Sequence, residues 1–326
     1  MAEAKRSAAT RVARAIGPAG GLVAVALLFA LLTGAPERYL SAANLRVVLA
    51  QTIIVGLGAI GMTLVMVSGG IDLSVGANVA LTGVIAALAL RDGASPTAAA
   101  ALGVLAGGVV GLINGLAITR LRIVPFIATL GMLGVARGAA KYFAREQSVN
   151  PPPTWLNGLA VTFPSHAWMV VAPGVWITLA LAVAMAFVLR RTVFGRRVFA
   201  VGSNEAAARA CGIAVDRVKI GVYAVGGLFF GLAGVMQMSR LRQGDPTVAV
   251  GVELDVIAAV VIGGGSLSGG EGSVAGSLVG ALIMSMLRNG CQQMGWPTYV
   301  QEIIIGVIIV LAVAADRYRA ARSLEG

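Results

Sequence analysis

The sequence predicts an all-α polytopic membrane protein of about ten transmembrane helices, some of them broken, and three observations carry that prediction. Of the 326 residues, 58% are hydrophobic and only 12% are charged, and the mean hydropathy is +0.88. Apolar runs repeatedly reach the roughly 20 residues needed to cross a hydrocarbon core, whereas a water-soluble domain of this length needs far more charge to cover its surface. The 44 glycines suit a bundle whose helices approach closely through small residues.

The apolar runs place spans near 18–35, 47–68, 74–90, 97–118, 123–140, 168–189, 218–239, 254–265, 273–288 and 302–315. Ten is the count, and nine or eleven are compatible with the same runs. The run at 254–265 is short enough to be a bent or partial span. Residues 1–17 form a cytoplasmic tail, 18–316 a single transmembrane domain with a polar loop at 190–219, and 317–326 a second cytoplasmic tail. A basic stretch ahead of the first run imitates a secretory signal. No clean A-x-A site follows Leu32, however, and nine further spans need the first to set their orientation.

With both ends inside, the cytoplasmic face collects Lys5, Arg6, Arg11, Arg14, Arg120, Arg122, Arg190, Arg191, Arg196, Arg197, Arg209, Arg217, Lys219, Arg317, Arg319 and Arg322, or 16 of the 25 basic residues. That bias follows the positive-inside rule and accounts for the net charge of +11 without a nucleic-acid partner. Cys211 and Cys291 fall on opposite faces, so neither a disulfide framework nor a metal site is expected. The single histidine, His166, lies in an outward loop.

GxxxG spacing stacks glycines on one helix face. It is doubled at Gly107, Gly111 and Gly115 and at Gly272, Gly276 and Gly280, and occurs once at Gly227 and Gly231. Packing between helices of one chain is the main reading, with a subunit interface as the other. Asn114, on the first of these faces, reads as an interhelical hydrogen bond rather than a ligand.

The polar loop FGRRVFAVGSNEAAARACGIAVDRVK, residues 194–219, contains one short helix. Ser203 is placed to cap it, Glu205 sits in the first turn where a carboxylate favours the dipole, Arg209 follows four residues later, and Gly212 suits a left-handed stop. Ala206, Ala207 and Ala208 supply propensity but little core, so the helix needs a docking partner. An ordinary basic loop that only fixes topology fits equally well.

The stretch GGIDLSVG, residues 69–76, returns loosened as GGGSLSGG, residues 263–270. Paired glycines free the backbone where one helix stops and another begins, and a following aspartate or serine can cap the new start. Asp72 or Ser74 would cap the span through Asn78, and Ser266 or Ser268 would precede the second GxxxGxxxG span. Broken helices in transporters often face a cavity, which makes Asp72, Ser74, Asn78, Glu253, Asp255, Ser266 and Ser268 candidates for a translocation path or its gate. Caps and tight turns at the membrane surface are the competing reading. Six spans separate the two copies, so both point the same way. The outward stretch SVNPPPTWLNG, residues 148–158, reads either as a stiff interfacial loop anchored by Trp155 or as a receiving surface for another protein.

EAAARACG resembles the EAA-type coupling loop of ABC transporter permeases. ELDVIAAVVIGGGSLSGGEGSVAGSLVGAL, residues 253–282, together with GGIDLSVG, resembles the ribose, xylose and arabinose branch of bacterial importers. The likeness runs from about residue 45 to 316, with three stretches in the right order. The longer tail that follows the EAA loop in other importers is not found after Gly212. The resemblance implies a multi-pass permease in the bacterial inner membrane, a second permease chain that is a copy or a paralogue, a separate ABC ATP-binding subunit that uses ATP and Mg, and a periplasmic or extracellular solute-binding protein. It places Glu205, Ala206, Ala207 and Gly212, with Ser203, Asn204 and Arg209 beside them, in a helix seated on the ATPase. The solute it implies is a monosaccharide.

Three function classes meet the residues differently. An energy-coupled importer subunit needs an ATPase elsewhere, and none of Lys5, Lys141 and Lys219 follows a glycine as in a phosphate loop. A secondary transporter or channel without an ATPase partner is the alternative, and it would more typically carry ionisable residues deep in several spans. An intramembrane serine hydrolase at Ser266 lacks a histidine within the spans. The chain is therefore read as a transport subunit with no bound cofactor, not an enzyme.

Overall fold

The computed structural model describes residues 18–163 and 169–324. The N-terminal tail with Lys5, Arg6, Arg11 and Arg14, the loop residue His166 and the side chains of Arg317, Arg319 and Arg322 lie outside the described residues. Within them the chain forms α1 (Pro18–Leu32), α2 (Pro36–Tyr39), α3 (Ala42–Val67), α4 (Val75–Arg91), α5 (Pro96–Arg120), α6 (Pro125–Ala144), a 3-10 turn (Trp155–Gly158), α7 (Pro173–Arg191), α8 (Val193–Ser203), α9 (Glu205–Ala210), α10 (Val215–Leu241), α11 (Val252–Ile262), α12 (Val274–Gln293) and α13 (Thr298–Leu324).

Each of the ten apolar runs coincides with one helix. Five of these, α3, α5, α7, α10 and α12, are long and apolar enough to cross a bilayer. Helix starts follow local chemistry. Ser41, Ser95, Thr192, Asn204 and Ser273 each accept a hydrogen bond from a backbone amide of the first turn, and Pro96, Pro125 and Pro173 occupy first-turn positions where no amide is needed.

α3 is the axis of the bundle. It is buried continuously from Ile53 to Val67, as expected of a helix apolar all round, and packs on α7, α10, α11 and α12. α5 and α10 lie backbone to backbone: a methyl added at Gly111 would meet the Gly227 Cα at 3.0 Å, and one added at Gly107 would meet the Gly231 Cα at 2.6 Å. The two glycine faces marked in the sequence therefore pack on each other within one chain. On α12 the motif is shorter than its spacing suggests. Gly272 precedes the helix, while Gly276 and Gly280 approach the α11 backbone at Gly263 and Ala259.

α11 has 11 residues, about 16 Å of axis, or half of a hydrocarbon core of about 30 Å. The short run is thus a half-length helix. The bonds Val149 N to Gly244 O and Gly244 N to Val149 O, both 2.8 Å, tie the proline-rich loop to the segment just after α10. The Ser239 hydroxyl donates to Leu156 O at 2.6 Å, while Trp155 stays exposed.

Candidate translocation and coupling site

The two glycine repeats, far apart in sequence, touch. The Gly270 amide donates to Val67 O at 2.9 Å, and a methyl added at Gly269 would meet the Gly69 Cα at 2.8 Å. Both also meet the end of α8: a methyl on Gly270 would lie 3.0 Å from the Ser203 Cα, and one on Gly202 would run into the Val67 carbonyl and the Gly270 amide. Gly69, Gly269 and Gly270 have φ of +82°, +87° and +74°, a region open to glycine at little cost. The C-terminal end of α3, the α11–α12 turn and the polar loop thus form one junction without side chains between them.

Beyond that junction, α9 is built as its composition requires, with one change. Ser203 ends α8, and Asn204 is the cap, accepting from the Ala207 amide at 2.9 Å. The reason is the backbone: Asn204 is extended, whereas Ser203 is still helical. Gly212, at φ +81°, closes the helix with bonds from its own amide to Arg209 O and from the Ile213 amide to Ala208 O. Glu205 accepts from Lys219 Nζ at 2.5 Å and from Arg209 at 3.4 Å, and Arg209 also reaches Asp216 at 3.0 Å. The Lys219 ammonium, followed by Arg209, holds the Glu205 carboxyl below its usual range. Ala206 and Ala207 are exposed and Ala208 is buried. Beside the helix, an open cleft of about 530 Å³ is lined by Thr119, Arg122, Glu205, Arg209, Asp216 and Lys219, among others.

The first repeat continues into a closed polar centre. Asp72 Oδ1 accepts from the Ser74 amide at 2.8 Å and from its hydroxyl at 2.6 Å. Asp72 Oδ2 accepts from Asn114 Nδ2 at 3.2 Å, and the same nitrogen donates to Ser74 Oγ at 3.0 Å. Tyr223 Oη donates to Ile71 O at 3.2 Å. Asp72 and Ser74 therefore do not cap α4. Ser74 stands just before the helix, already in a helical conformation and without a side-chain cap bond, and Asp72 folds back on it in an Asx turn. Asn78, one turn on, donates to Gly107 O at 3.3 Å. All three are buried against α5 and α10.

The second repeat uses its serines differently. Ser268 N donates to Ser266 Oγ at 3.2 Å, a local turn, and α12 is capped instead by Ser273, which accepts from the Gly276 amide at 3.0 Å. The sequence lets either serine precede α12, but the chain makes a further turn before the helix begins.

Glu253 and Asp255 lie in the first turn of α11 and face opposite ways. The Glu253 carboxylate comes against Gly76 at the start of α4 and accepts from the Gly251 amide at 3.3 Å. Asp255, 1% exposed, pairs with Arg288 of α12 at 2.6 Å. Asp72, Ser74, Asn78 and Glu253 are thus grouped around the start of α4, whereas Ser266 and Ser268 belong to the turn against Gly202 and Ser203. Sequence reasoning overlooked Arg137, whose guanidinium donates to Pro246 O at 2.9 Å and Val248 O at 2.6 Å, along with Arg288 and Gly202. A lone arginine within an apolar run is the signal that would have found the first two, because such a charge is costly unless it has a buried task.

Apolar helices long enough to cross a bilayer, some of them broken, beside a polar helix pair at one end, define a multi-pass membrane protein. Residues 44–313 match the family model described as branched-chain amino acid transport system / permease component, and the chain belongs to that permease family. It is 39% identical over 295 residues to the ribose import permease protein RbsC of Escherichia coli (strain K12), covering 90% of this chain and 92% of that one. It is 40% identical over 324 residues to RbsC of Bacillus subtilis (strain 168), covering 98% of each. It is also 40% identical over 300 residues to the L-arabinose ABC transporter permease protein AraH of Azospirillum brasilense, covering 92% of this chain and 87% of the relative. No solved structure matches the chain.

Proposed function

We propose that this chain is the permease subunit of an ATP-driven, binding-protein-dependent importer of a monosaccharide, with ten spans and both ends on the cytoplasmic side of a bacterial inner membrane. ATP and Mg are used by a separate ABC ATP-binding subunit. A periplasmic or extracellular binding protein delivers the sugar, and a second permease chain completes the path. The sugar class follows from relatives named for ribose and arabinose.

The observation that carries the reading is the junction at Gly202. An exposed, ion-paired short helix, α9, is joined through that glycine to both helix breaks, which is the connection an ATPase docked at α9 needs in order to move the spans. Glu205, Ala206, Ala207 and Arg209 form the docking face, with Ser203, Asn204 and Gly212 shaping its ends. Asp72, Ser74, Asn78, Glu253, Asp255, Ser266 and Ser268 belong to the path or to the breaks that gate it. Leu105, Val109 and Ile113 of α5 and Val183 and Phe187 of α7 are exposed and face lipid. α6 carries Gly131, Gly134 and Gly138 with nothing close to them, a face suited to the second permease chain.

The test is co-purification in mild detergent followed by reconstitution. An ATPase arriving in fixed ratio and sugar uptake that requires ATP are expected. A chain that arrives alone and moves sugar without ATP belongs to the secondary-transporter class instead.

A further inference from the structure

Residues 242–251, between α10 and α11, leave the outer end of the bundle and turn back into it. The outer pin is Gly244, bonded both ways to Val149 and lying against Ala87 near the end of α4. Five residues later, Ala249 O and the Glu253 carboxylate face Gly76, about 16 Å back along α4 from Ala87. The inner end gives a matching depth: Val256 packs on Gly58, about 14 Å along α3 from Val67. Irregular backbone therefore sits at membrane depth.

That backbone is held and open at once. Arg137 Nη1 bonds Pro246 O and Val248 O, and Asp245 accepts from both the amide and the hydroxyl of Thr247 at 2.8 and 2.7 Å. Ala249 has φ +60°, a strained value for a residue with a side chain. Yet Val250 is 74% and Leu254 45% exposed. Irregular backbone does not face lipid, because its amides and carbonyls need water or protein, and the first amides of α11 have no partner within their own helix. The open side of this segment must therefore face water or another chain.

We infer that residues 244–251 form the narrowing of the solute path, with Val250 and Leu254 as an apolar lip and Arg137 as the positioning residue that holds the segment in place. An apolar constriction of this kind closes by shedding water rather than by binding the solute. The inference rests on the permease reading above, but its first test needs no solute.

In a Cys211→Ser background, where the remaining Cys291 is fully buried, Val250→Cys is compared with Val109→Cys on the outer face of α5. The full chain is expressed with its partner subunits in membrane vesicles, and the probe is a small cationic methanethiosulfonate. Only a hydrated thiol ionises and reacts, so Val250→Cys is expected to react at least threefold faster; a smaller ratio overturns the inference. Leu254→Cys is read in the same way should the first variant not insert. Labelled vesicles are then assayed for ribose uptake. Loss of uptake is expected, and a bulky adduct that leaves uptake intact overturns the narrowing. Unlabelled vesicles that take up no sugar would count against the sugar reading while leaving the reactivity ratio valid. Arg137→Lys keeps the charge but replaces the planar guanidinium, whose Nη1 reaches both carbonyls, with a shorter-reaching ammonium. It is expected to change the labelling rate at position 250 at least threefold, and an unchanged rate removes Arg137 from the proposal.

Discussion

The amide of Gly270 donates to the carbonyl of Val67 across 2.9 Å, joining residues more than two hundred positions apart at the end of α8. The bond needs close backbones, and Gly202 supplies the room. Gly202→Val would force side-chain atoms into the Val67 carbonyl, and overpacking of this kind costs about 1–3 kcal/mol. The expected outcome is a chain that still inserts, with solute-stimulated ATPase activity and ATP-driven uptake reduced at least tenfold. Wild-type stimulation in this variant would sink the relay.

Glu205→Arg addresses the other side of the relay. It replaces an acceptor for Lys219 and Arg209 with a third cation, at an exposed position whose side chain is not part of the core. Assembly in the membrane with loss of solute-stimulated ATPase activity is expected, read on purified complex in lipid.

The same residue gives a pH signature. Its carboxyl lies below the usual range because of Lys219 and then Arg209, so its contribution is present above the unfolded-state value, about 4.3, and is lost as pH falls through the lower folded value. Thermal midpoints of wild type and Glu205→Gln should therefore differ by a constant amount from pH 7 to pH 5 and converge under acid. The gap should be small, since the pair is exposed. A gap that widens on acidification has the wrong sign.

Asp72 accepts from the Ser74 amide, the Ser74 hydroxyl and Asn114 together. Asp72→Ala leaves buried donors without that partner, at about 1–3 kcal/mol each, whereas Asp72→Asn retains one acceptor oxygen. Detergent thermal melts should rank wild type above Asp72→Asn and Asp72→Asn above Asp72→Ala, with uptake following the same order. Equal melts and equal uptake in all three would remove Asp72 from both the break and the path.

Arg288 and Asp255 form a pair with one member almost fully buried. Removing one partner strands the other charge at about 3–5 kcal/mol, while replacing both with apolar groups is often neutral. Asp255→Leu should reduce the amount of folded chain, and Asp255→Leu with Arg288→Met should restore it. Uptake in the double variant then reports whether the charges serve transport.

Much of this architecture was legible in the residue order. All ten apolar runs became helices, the short run near 254 became a half-length one, and Gly107, Gly111, Gly227 and Gly231 met as their spacing suggests, because apolar length and glycine periodicity are properties of the chain itself. Capping was less legible. Ser203, Ser266 and Ser268 have the right chemistry for caps, but a cap also needs the backbone to turn at that residue, and here Asn204 and Ser273 make the turn. The meeting of the two glycine repeats could not be read at all. Residue order separates the copies by nearly two hundred positions, and only the packing of α3, α8 and α12 brings them into contact.

The glycine contact between α5 and α10 has a mechanical consequence. Where Gly111 lies on Gly227 and Gly107 on Gly231, no layer of side chains is left to tilt or repack, and sliding either helix by one residue drives a side chain into the opposite backbone. Shear motion normally uses such a layer. The pair is therefore stiff against sliding, a welded slab, and under the importer reading proposed above the stroke would have to come from α3, α8, α11 and α12 working against it.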